Sequence, residues 1–132
     1  SDLDGLLVRQ LGHVPQSVLP ELFAYTDLFV FASSCETMPV TLLEAMAVGL
    51  PIACSDRGPM PEVLEDGGVY FDPESPESIA RAIENIITDA EQRTRIARRA
   101  KELAGQYSWK RCAEETFAFI TETYQMKIER DL

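Results

Sequence analysis

The most informative segment of this chain reads Ser33-Ser34-Cys35-Glu36-Thr37-Met38-Pro39-Val40-Thr41-Leu42-Leu43-Glu44-Ala45-Met46-Ala47. A run of strand-forming residues, 27–31, leads into it, and a helical pattern over 41–48 leads out of it. Pro39 stands where the first helical residue is expected, because proline's missing N–H costs nothing there. The segment therefore predicts a strand, a polar turn and a helix N-terminus. In parallel α/β sheets such a corner binds ligands, because free N–H groups of the helix face the carboxyl end of the strand.

The flanking sequence repeats this alternation of strands and helices. Strands are predicted over 6–11, 28–31, 51–54 and 69–71, and helices over 17–25, 41–48, 61–64, 76–87, 90–104 and from 109 onward. Ser75 and Ser108 are predicted N-caps, and Gly49 is predicted to end the helix over 41–48. Alternation of this kind requires a parallel sheet with right-handed crossovers. We expect an α/β fold: a three-layer, Rossmann-like parallel sheet with helices on both faces, ending in a long C-terminal helix.

The last predicted helix carries one apolar stripe, formed by Trp109, Ala113, Phe117, Ile120 and Tyr124. A stripe with this spacing is typical of a face buried in the core. The arginine-rich helix before it, 90–104, is interpreted as a solvated face whose cations pair with the surplus of Asp and Glu. Residues 126–132 show no pattern. We therefore expect a single domain over 1–125 with a C-terminal tail over 126–132.

Composition narrows the class of protein. With 132 residues, 45% of them hydrophobic and 26% charged, the chain suits one domain with a substantial core. Its net charge of −10, from 12 basic and 22 acidic residues, argues against nucleic acid or an anionic membrane as a partner. No long apolar run and no signal-peptide pattern is seen. Three cysteines, Cys35, Cys54 and Cys112, lack metal spacing and fit a reducing compartment, so a cytoplasmic location is expected.

A family resemblance follows from the spacing of two glutamates. Glu36 and Glu44 form a Glu-x7-Glu pattern that continues as Ala45-Met46-Ala47-Val48-Gly49-Leu50-Pro51. This pattern resembles the C-terminal half of the glycosyl transferases group 1, which are retaining glycosyltransferases of the GT-B fold. Further similar motifs follow in the family's order: Leu11-Gly12-His13-Val14-Pro15, residues 26–33, Pro61-Glu62-Val63, Gly67-Gly68, Phe71-Asp72-Pro73 and Tyr107-Ser108-Trp109. Several linked motifs are more specific than one pair of glutamates.

The resemblance implies a nucleotide-sugar-binding domain that serves transfer of a sugar to an acceptor with retention, as in polysaccharide biosynthesis. Glu44 would bind the ribose hydroxyls, because a carboxylate accepts two hydrogen bonds from a diol. Glu36 would be the catalytic residue, facing the donor sugar through positioning and electrostatics rather than as a nucleophile. Donor-binding backbone amides would come from Thr37, Met38, Val40 and Thr41. No cofactor or metal is implied, and no Asp-x-Asp motif is present.

The chain departs from the family pattern in two respects. Thr37-Met38-Pro39 replaces the Gly-Phe-Gly that follows the first glutamate, so the loop must differ in shape, since Pro39 has no N–H and Thr37 reaches positive φ only at a cost. The two strands that open the family's C-terminal domain, with their basic pair for the pyrophosphate, have no match here. His13 does not correspond to the catalytic-site histidine of the N-terminal domain. We therefore expect a partial domain, truncated at its N-terminal side and inactive by itself.

Alternative functions stay open at this stage. The chain could be a non-catalytic nucleotide-binding or interaction module left from a truncated GT-B enzyme, and a nucleotide-sugar epimerase is a weaker option. Without the resemblance, Glu36 and Glu44 would be interpreted as ordinary solvated residues. The expected partners are a nucleotide-sugar donor and the missing N-terminal GT-B domain, and peripheral membrane attachment of the full-length enzyme stays open. Because the absent strands would lie between 6–11 and 28–31, self-association through an unpaired strand edge at 6–11 is also expected.

Overall fold

The structure, a computed structural model, describes residues 8–130. Within them the strands are β1 Phe29–Phe31, β2 Ile52–Ser55 and β3 Val69–Phe71. A short 3-10 helix, Gln16–Val18, leads directly into the first α-helix. The α-helices are α1 Leu19–Ala24, α2 Val40–Val48, α3 Met60–Leu64, α4 Pro76–Thr88, α5 Ala90–Ala104 and α6 Trp109–Arg130. Strands and helices thus alternate up to β3, as the sequence predicts.

The sheet is parallel, with the strand order β1-β2-β3. Phe29 lies opposite Ile52, and Ala53 lies opposite Val69. All four residues of β2 are buried, as expected for a central strand that is covered on both faces. The predicted parallel α/β architecture is therefore confirmed, and the carboxyl ends of the three strands lie along one edge of the sheet.

Helices cover both faces of this sheet. On one face, Ile52 and Cys54 of β2 pack with residues of α1, α2, α3 and α5 in the larger core cluster. On the other face, Ala53 and Phe71 pack with Ile86 of α4 in a second cluster. Successive strand residues point to opposite faces, which is why neighbouring residues of β2 belong to different clusters. The predicted three-layer arrangement is confirmed.

The helix termini follow local sequence signals closely. Ser75 Oγ accepts a hydrogen bond of 3.2 Å from the N–H of Ser78, and Ser108 Oγ accepts one of 3.1 Å from the N–H of Arg111. Gly49 ends α2 at φ 86°, a left-handed conformation that glycine adopts without steric cost. Pro39 differs from the prediction: its ψ of 74° is not helical, and α2 begins one residue later at Val40. Its carbonyl still accepts the first helical hydrogen bond, from Leu43 at 3.1 Å.

The strand predicted over 6–11 is not found in the part of it that the structure describes. Residues 8–11 have no regular secondary structure, and residues 6 and 7 lie outside the described residues. A strand needs a neighbour, and no strand within 8–130 pairs with β1 on the side away from β2. Within residues 8–130 the two outer strands, β1 and β3, therefore each leave one sheet edge unpaired. The self-association predicted through an unpaired strand edge at 6–11 stays a prediction.

Helix α6 gives the largest correction. The stripe predicted to be core is exposed, with Trp109 at 80%, Phe117 at 69%, Ile120 at 55% and Tyr124 at 65% of full accessibility, and Ala113 exposed as well. The 3.6-residue period defines which side of a helix is apolar, but not whether the described chain supplies a covering surface. The helix also continues to Arg130, so residues 126–130, predicted to be a patternless tail, are helical.

At Arg99 the structure agrees with the prediction that the cations of α5 lie on a solvated face and pair with acidic residues. Its guanidinium forms ion pairs with Glu65 at 3.0 Å, Asp66 at 2.6 Å and Glu102 at 3.8 Å. The pairs with Glu65 and Asp66 tie α5 to the turn between α3 and β3. Among residues 8–130, no helix is both long and apolar enough to cross a membrane.

Candidate functional site

The N-terminus of α2 is the centre of the candidate site. Among residues 8–130 no side chain caps this helix, and Pro39 before it is buried. The N–H of Val40 donates to the carbonyl of Met38 at 2.9 Å, so one of the four amides predicted to bind the donor already has a partner. The N–H groups of Thr41 and Leu42 have no acceptor within residues 8–130. The first N–H groups of any helix lack intrahelical partners, and this rule would have added Leu42 to the candidates.

Glu36 lies in the turn between β1 and α2, and it is partly exposed. The turn that follows β2 packs directly against it. A Cβ atom at Gly58 would lie 3.8 Å from the carbonyl oxygen of Glu36 and 3.9 Å from its nitrogen. Gly58 itself has a φ of 53°, which favours glycine. The backbone of Glu36 is therefore supported from the neighbouring strand end, whereas Thr37 and Met38 after it are exposed.

Glu44 lies in the second turn of α2 and is partly buried. Its Oε1 accepts a hydrogen bond of 3.2 Å from Nε2 of Gln16, in the 3-10 helix before α1. Sequence reasoning did not single out Gln16, although this residue directly follows the Gly12–Pro15 part of a family-like motif. The structure thus places one neutral donor beside the glutamate that was predicted to bind a diol.

Charged residues that follow β2 and β3 also lie at this edge of the sheet. Arg57 forms ion pairs with Asp72 at 3.0 Å and with Asp56 at 3.4 Å. The backbone N–H of Arg57 also donates to Oγ of buried Ser55 at 3.2 Å. Arg57 was not a predicted site residue, and no sequence signal separates it from other surface arginines. Since two carboxylates contact its guanidinium, its charge is already compensated.

The remaining titratable groups do not form a metal site. Within the part of the chain that the structure describes, no group of three or more His, Cys, Asp or Glu side chains is placed to hold a metal ion. Cys35 and Cys112 are exposed, whereas burial raises the pKa of the Cys54 thiol to about 12. Burial also raises the pKa of Tyr70, whose hydroxyl donates to the carbonyl of Glu65 at 2.7 Å.

A groove of about 310 Å³ borders the site loop. Met38 lines one side of it, and the other side is formed by residues around the start of α6, including Tyr107, Arg111 and Glu115. Arg111 donates to Glu115 at 2.6 Å and to the carbonyl of Gln106 at 3.0 Å, so this side is held in place by hydrogen bonds.

Comparison with known proteins identifies the family. The sequence profile of the Glycosyl transferases group 1 family matches residues 7–103, which include both glutamates of the candidate site. This chain belongs to that family. O-antigen chain mannosyltransferase B of Escherichia coli is 36% identical over 109 residues, a match that covers 83% of this chain and 29% of the relative. The chain therefore spans less than a third of that relative.

Solved structures agree with this assignment. The C-terminal domain of LpcC, a glycosyl transferase group 1 family protein of Francisella tularensis, is 27% identical with a TM-score of 0.64, and the match covers 73% of this chain and 51% of that domain. HepE of Anabaena, solved in complex with UDP, is 25% identical with a TM-score of 0.70, and the match covers 82% of this chain and 30% of HepE. The prediction that the chain corresponds to part of the GT-B C-terminal domain is confirmed.

Proposed function

We propose that this chain is part of the donor-binding domain of a retaining glycosyltransferase, and that it binds a nucleotide-sugar at the N-terminus of α2. One observation carries the proposal: within residues 8–130 the N-terminus of α2 has no side-chain cap and two N–H groups without an acceptor, and in the chain it lies between Glu36 and Glu44. The UDP complex of HepE supports it, because that related protein binds a nucleoside diphosphate. The mannosyltransferase relative favours transfer of a hexose in polysaccharide biosynthesis.

The pyrophosphate would lie against the first turn of α2. The free N–H groups of Thr41 and Leu42 and the positive end of the helix dipole both favour an anion there. Thr37 and Met38 would add amides from the preceding loop. Pro39 adds none, because it has no N–H. Arg57 is engaged by Asp56 and Asp72, so the phosphate charge would be met mainly by backbone dipoles in this part of the protein.

Glu44 would bind the ribose. A carboxylate accepts hydrogen bonds at both oxygens, and Gln16 occupies Oε1 only. The remaining acceptor sites can receive the two hydroxyls of the ribose diol. This function needs an ionised carboxylate that has no cation bound to it, and within residues 8–130 no Lys or Arg forms an ion pair with Glu44.

Glu36 would act on the transferred sugar. It lies in the turn at the carboxyl end of β1, ahead of the amides assigned to the phosphate. A carboxylate there can hold the sugar hydroxyls and stabilise positive charge that develops at the reacting carbon. In a front-sided reaction the sugar–phosphate bond would break, the acceptor oxygen would bond to the same face of the reacting carbon, and the departing nucleoside diphosphate would take up the acceptor's proton. Glu36 therefore needs no covalent bond to the sugar.

A second candidate function is a non-catalytic nucleotide-binding or interaction module. Helix α6 favours it, because Trp109, Phe117 and Tyr124 expose a large apolar surface of the kind that marks interaction sites. A transfer assay on the full-length protein with nucleotide-sugar donors separates the two candidates. Sugar transfer supports the enzyme, and nucleotide binding without transfer or hydrolysis supports the module.

The substitution Glu44→Ala tests the proposed function. In the full-length protein it should weaken donor binding about 10-fold to 150-fold, because a hydrogen bond to a charged group contributes about 1.5–3 kcal/mol. Calorimetric titration with the donor measures this change. Glu84→Ala is a matched control, since Glu84 is exposed on α4, which packs in the second core cluster on the opposite face of the sheet. Equal donor affinity of Glu44→Ala and Glu84→Ala would contradict the assignment.

A further inference from the structure

We propose that Gln16 is a positioning residue for the ribose-binding carboxylate: its side-chain amide holds Glu44 in the orientation that receives the diol of a nucleoside diphosphate. This inference rests on the proposed function. Its starting point is the hydrogen bond of 3.2 Å from Nε2 of Gln16 to Oε1 of Glu44. The two residues are 28 positions apart in the chain, so the contact depends on the fold and not on local sequence.

The backbone that carries Gln16 is held by a hydrogen bond within its turn and by the packing of the helix that follows. The N–H of Val18 donates to the carbonyl of Pro15 at 2.9 Å, which closes the 3-10 turn around Gln16. Directly after it, Leu19 and Phe23 of α1 pack into the same core cluster as Leu42 of α2. The helix that carries Glu44 and the turn that carries Gln16 are therefore fixed against each other by core packing. The backbone position from which the Gln16 side chain reaches Glu44 is therefore fixed.

The phenyl ring of Phe23 strengthens this connection. It meets the ring of Phe29 edge to face at a centroid distance of 5.8 Å, so α1 is also attached to β1. Because β1 leads into the loop with Glu36, the Gln16 turn is linked to both glutamates of the candidate site. A change at Gln16 that left this packing intact would act on the Glu44 side chain alone.

The chemistry of an amide suits this position better than a cation. A neutral N–H donor orders the carboxylate but leaves its negative charge uncompensated, so Glu44 stays a strong acceptor for hydroxyl groups. A guanidinium would form a two-bond ion pair and occupy both oxygens. At the same edge of the sheet Arg57 illustrates the effect of a cation, since its guanidinium compensates the charges of Asp72 and Asp56. Gln16 thus holds one oxygen and leaves the other available.

The experiment is a double-mutant cycle on nucleotide binding by the full-length protein. UDP and GDP are titrated by calorimetry, and the tighter binder is then used together with its 2′-deoxy and 3′-deoxy forms. The variants are Gln16→Ala, Glu44→Ala and the double variant. Gln125→Ala is the matched control, because Gln125 is an exposed glutamine on α6. Thermal unfolding of each variant checks that the fold is retained.

We expect Gln16→Ala to weaken binding about three-fold to ten-fold when Glu44 is present, and less than about two-fold when Glu44 is already alanine. The loss of affinity on removing a ribose hydroxyl should also shrink in Gln16→Ala, which a purely structural role would not change. If Glu44→Ala weakens binding but Gln16→Ala behaves like Gln125→Ala, or acts equally in both backgrounds, the inference is overturned and the proposed function stands. If Glu44→Ala binds like wild type, or no nucleotide binds, both are overturned.

Discussion

Arg57 lies 3.0 Å from Asp72, and this ion pair joins the carboxyl ends of β2 and β3. Asp72 is itself held on both sides, because its N–H donates to Ser78 Oγ at 3.1 Å and its Oδ1 accepts from the N–H of Glu74 at 3.0 Å. The residue after Arg57, Gly58, packs against the backbone of Glu36. The ion pair therefore supports the loop that carries the candidate catalytic residue.

Substitution Arg57→Gln should lower kcat with little change in stability. The two side chains are each about half exposed, so the pair stabilises the loop by at most about 1 kcal/mol. We therefore expect a loss of kcat of at most about five-fold. Steady-state kinetics of the full-length protein measures this effect, with Arg98→Gln on the exposed side of α5 as the control. A kcat equal to that of the control would show that the Glu36 loop does not depend on this pair.

Substitution Glu36→Gln should lower kcat about 100-fold and change KM for the donor less than roughly three-fold, because its carboxylate acts on charge that develops at the reacting carbon. Glu84→Gln makes the same chemical change at a residue away from the site and is the control. Kinetics with varied donor concentration separates the two parameters. A rise in KM at constant kcat would instead assign Glu36 to ground-state binding, and wild-type kinetics would make it an ordinary solvated residue.

The ion pair between Arg99 and Asp66 should make stability depend on pH in the acidic range. The hydrogen bond from Arg99 lowers the pKa of Asp66 below its ordinary value of 3.8 in the folded state. A group with a depressed folded pKa contributes stability above its unfolded pKa and loses it as pH falls through the folded value. The destabilisation caused by Arg99→Gln should therefore be present at pH 7 and shrink below about pH 4.

Urea unfolding of wild type and Arg99→Gln at pH 7, 5 and 3 measures this difference. Arg98→Gln again serves as the control, since it changes the same charge on the same helix. Glu65 and Glu102 also form ion pairs with Arg99, so Arg99→Gln removes these contacts as well. A difference in unfolding free energy that stays constant from pH 7 to pH 3 would mean that the pairs contribute nothing specific.

Sequence reasoning succeeded where the signal is local. Ser75, Ser108 and Gly49 act through hydrogen bonds and backbone conformations within a few residues, and each was predicted correctly. Local signals of this kind determine where an element begins or ends, whatever packs on it later. The parallel sheet was equally predictable, because short strands alternating with helices allow few other topologies.

Apart from the local errors at Pro39 and over 126–130, the failures concern contacts between distant parts of the chain. The apolar stripe of α6 was assigned to the core, but periodicity cannot show that the described residues leave it uncovered. Residues 8–11, the described part of the strand predicted over 6–11, have no regular secondary structure, because a strand forms only beside a partner. Gln16 and Arg57 were missed at the site for the same reason, because their partners lie 28 and 15 residues away in the chain.

The exposure of α6 predicts that two large apolar residues differ in how much their replacement by alanine lowers the unfolding free energy. Phe117→Ala should change the unfolding free energy of the 132-residue chain by less than about 0.5 kcal/mol, because the ring is already in water. Ile86→Ala is the buried comparison and should cost about 2–5 kcal/mol. Chemical denaturation of both variants gives the answer. A cost at Phe117 similar to that at Ile86 would mean that the stripe is covered in solution.

The proline before α2 should affect the range of sugars that the proposed donor site accepts. Pro39 is buried with φ at −82° and ψ at 74°, where the family pattern has a glycine that can sample many conformations. A proline there removes conformational entropy from the unbound loop, so less is lost when a ligand orders it. Calorimetry of donor binding would register this as a smaller entropic penalty than in a Pro39→Gly variant. The loop gains preorganisation and gives up adaptability, so we expect this protein to accept a narrower range of sugars than relatives with Gly-Phe-Gly.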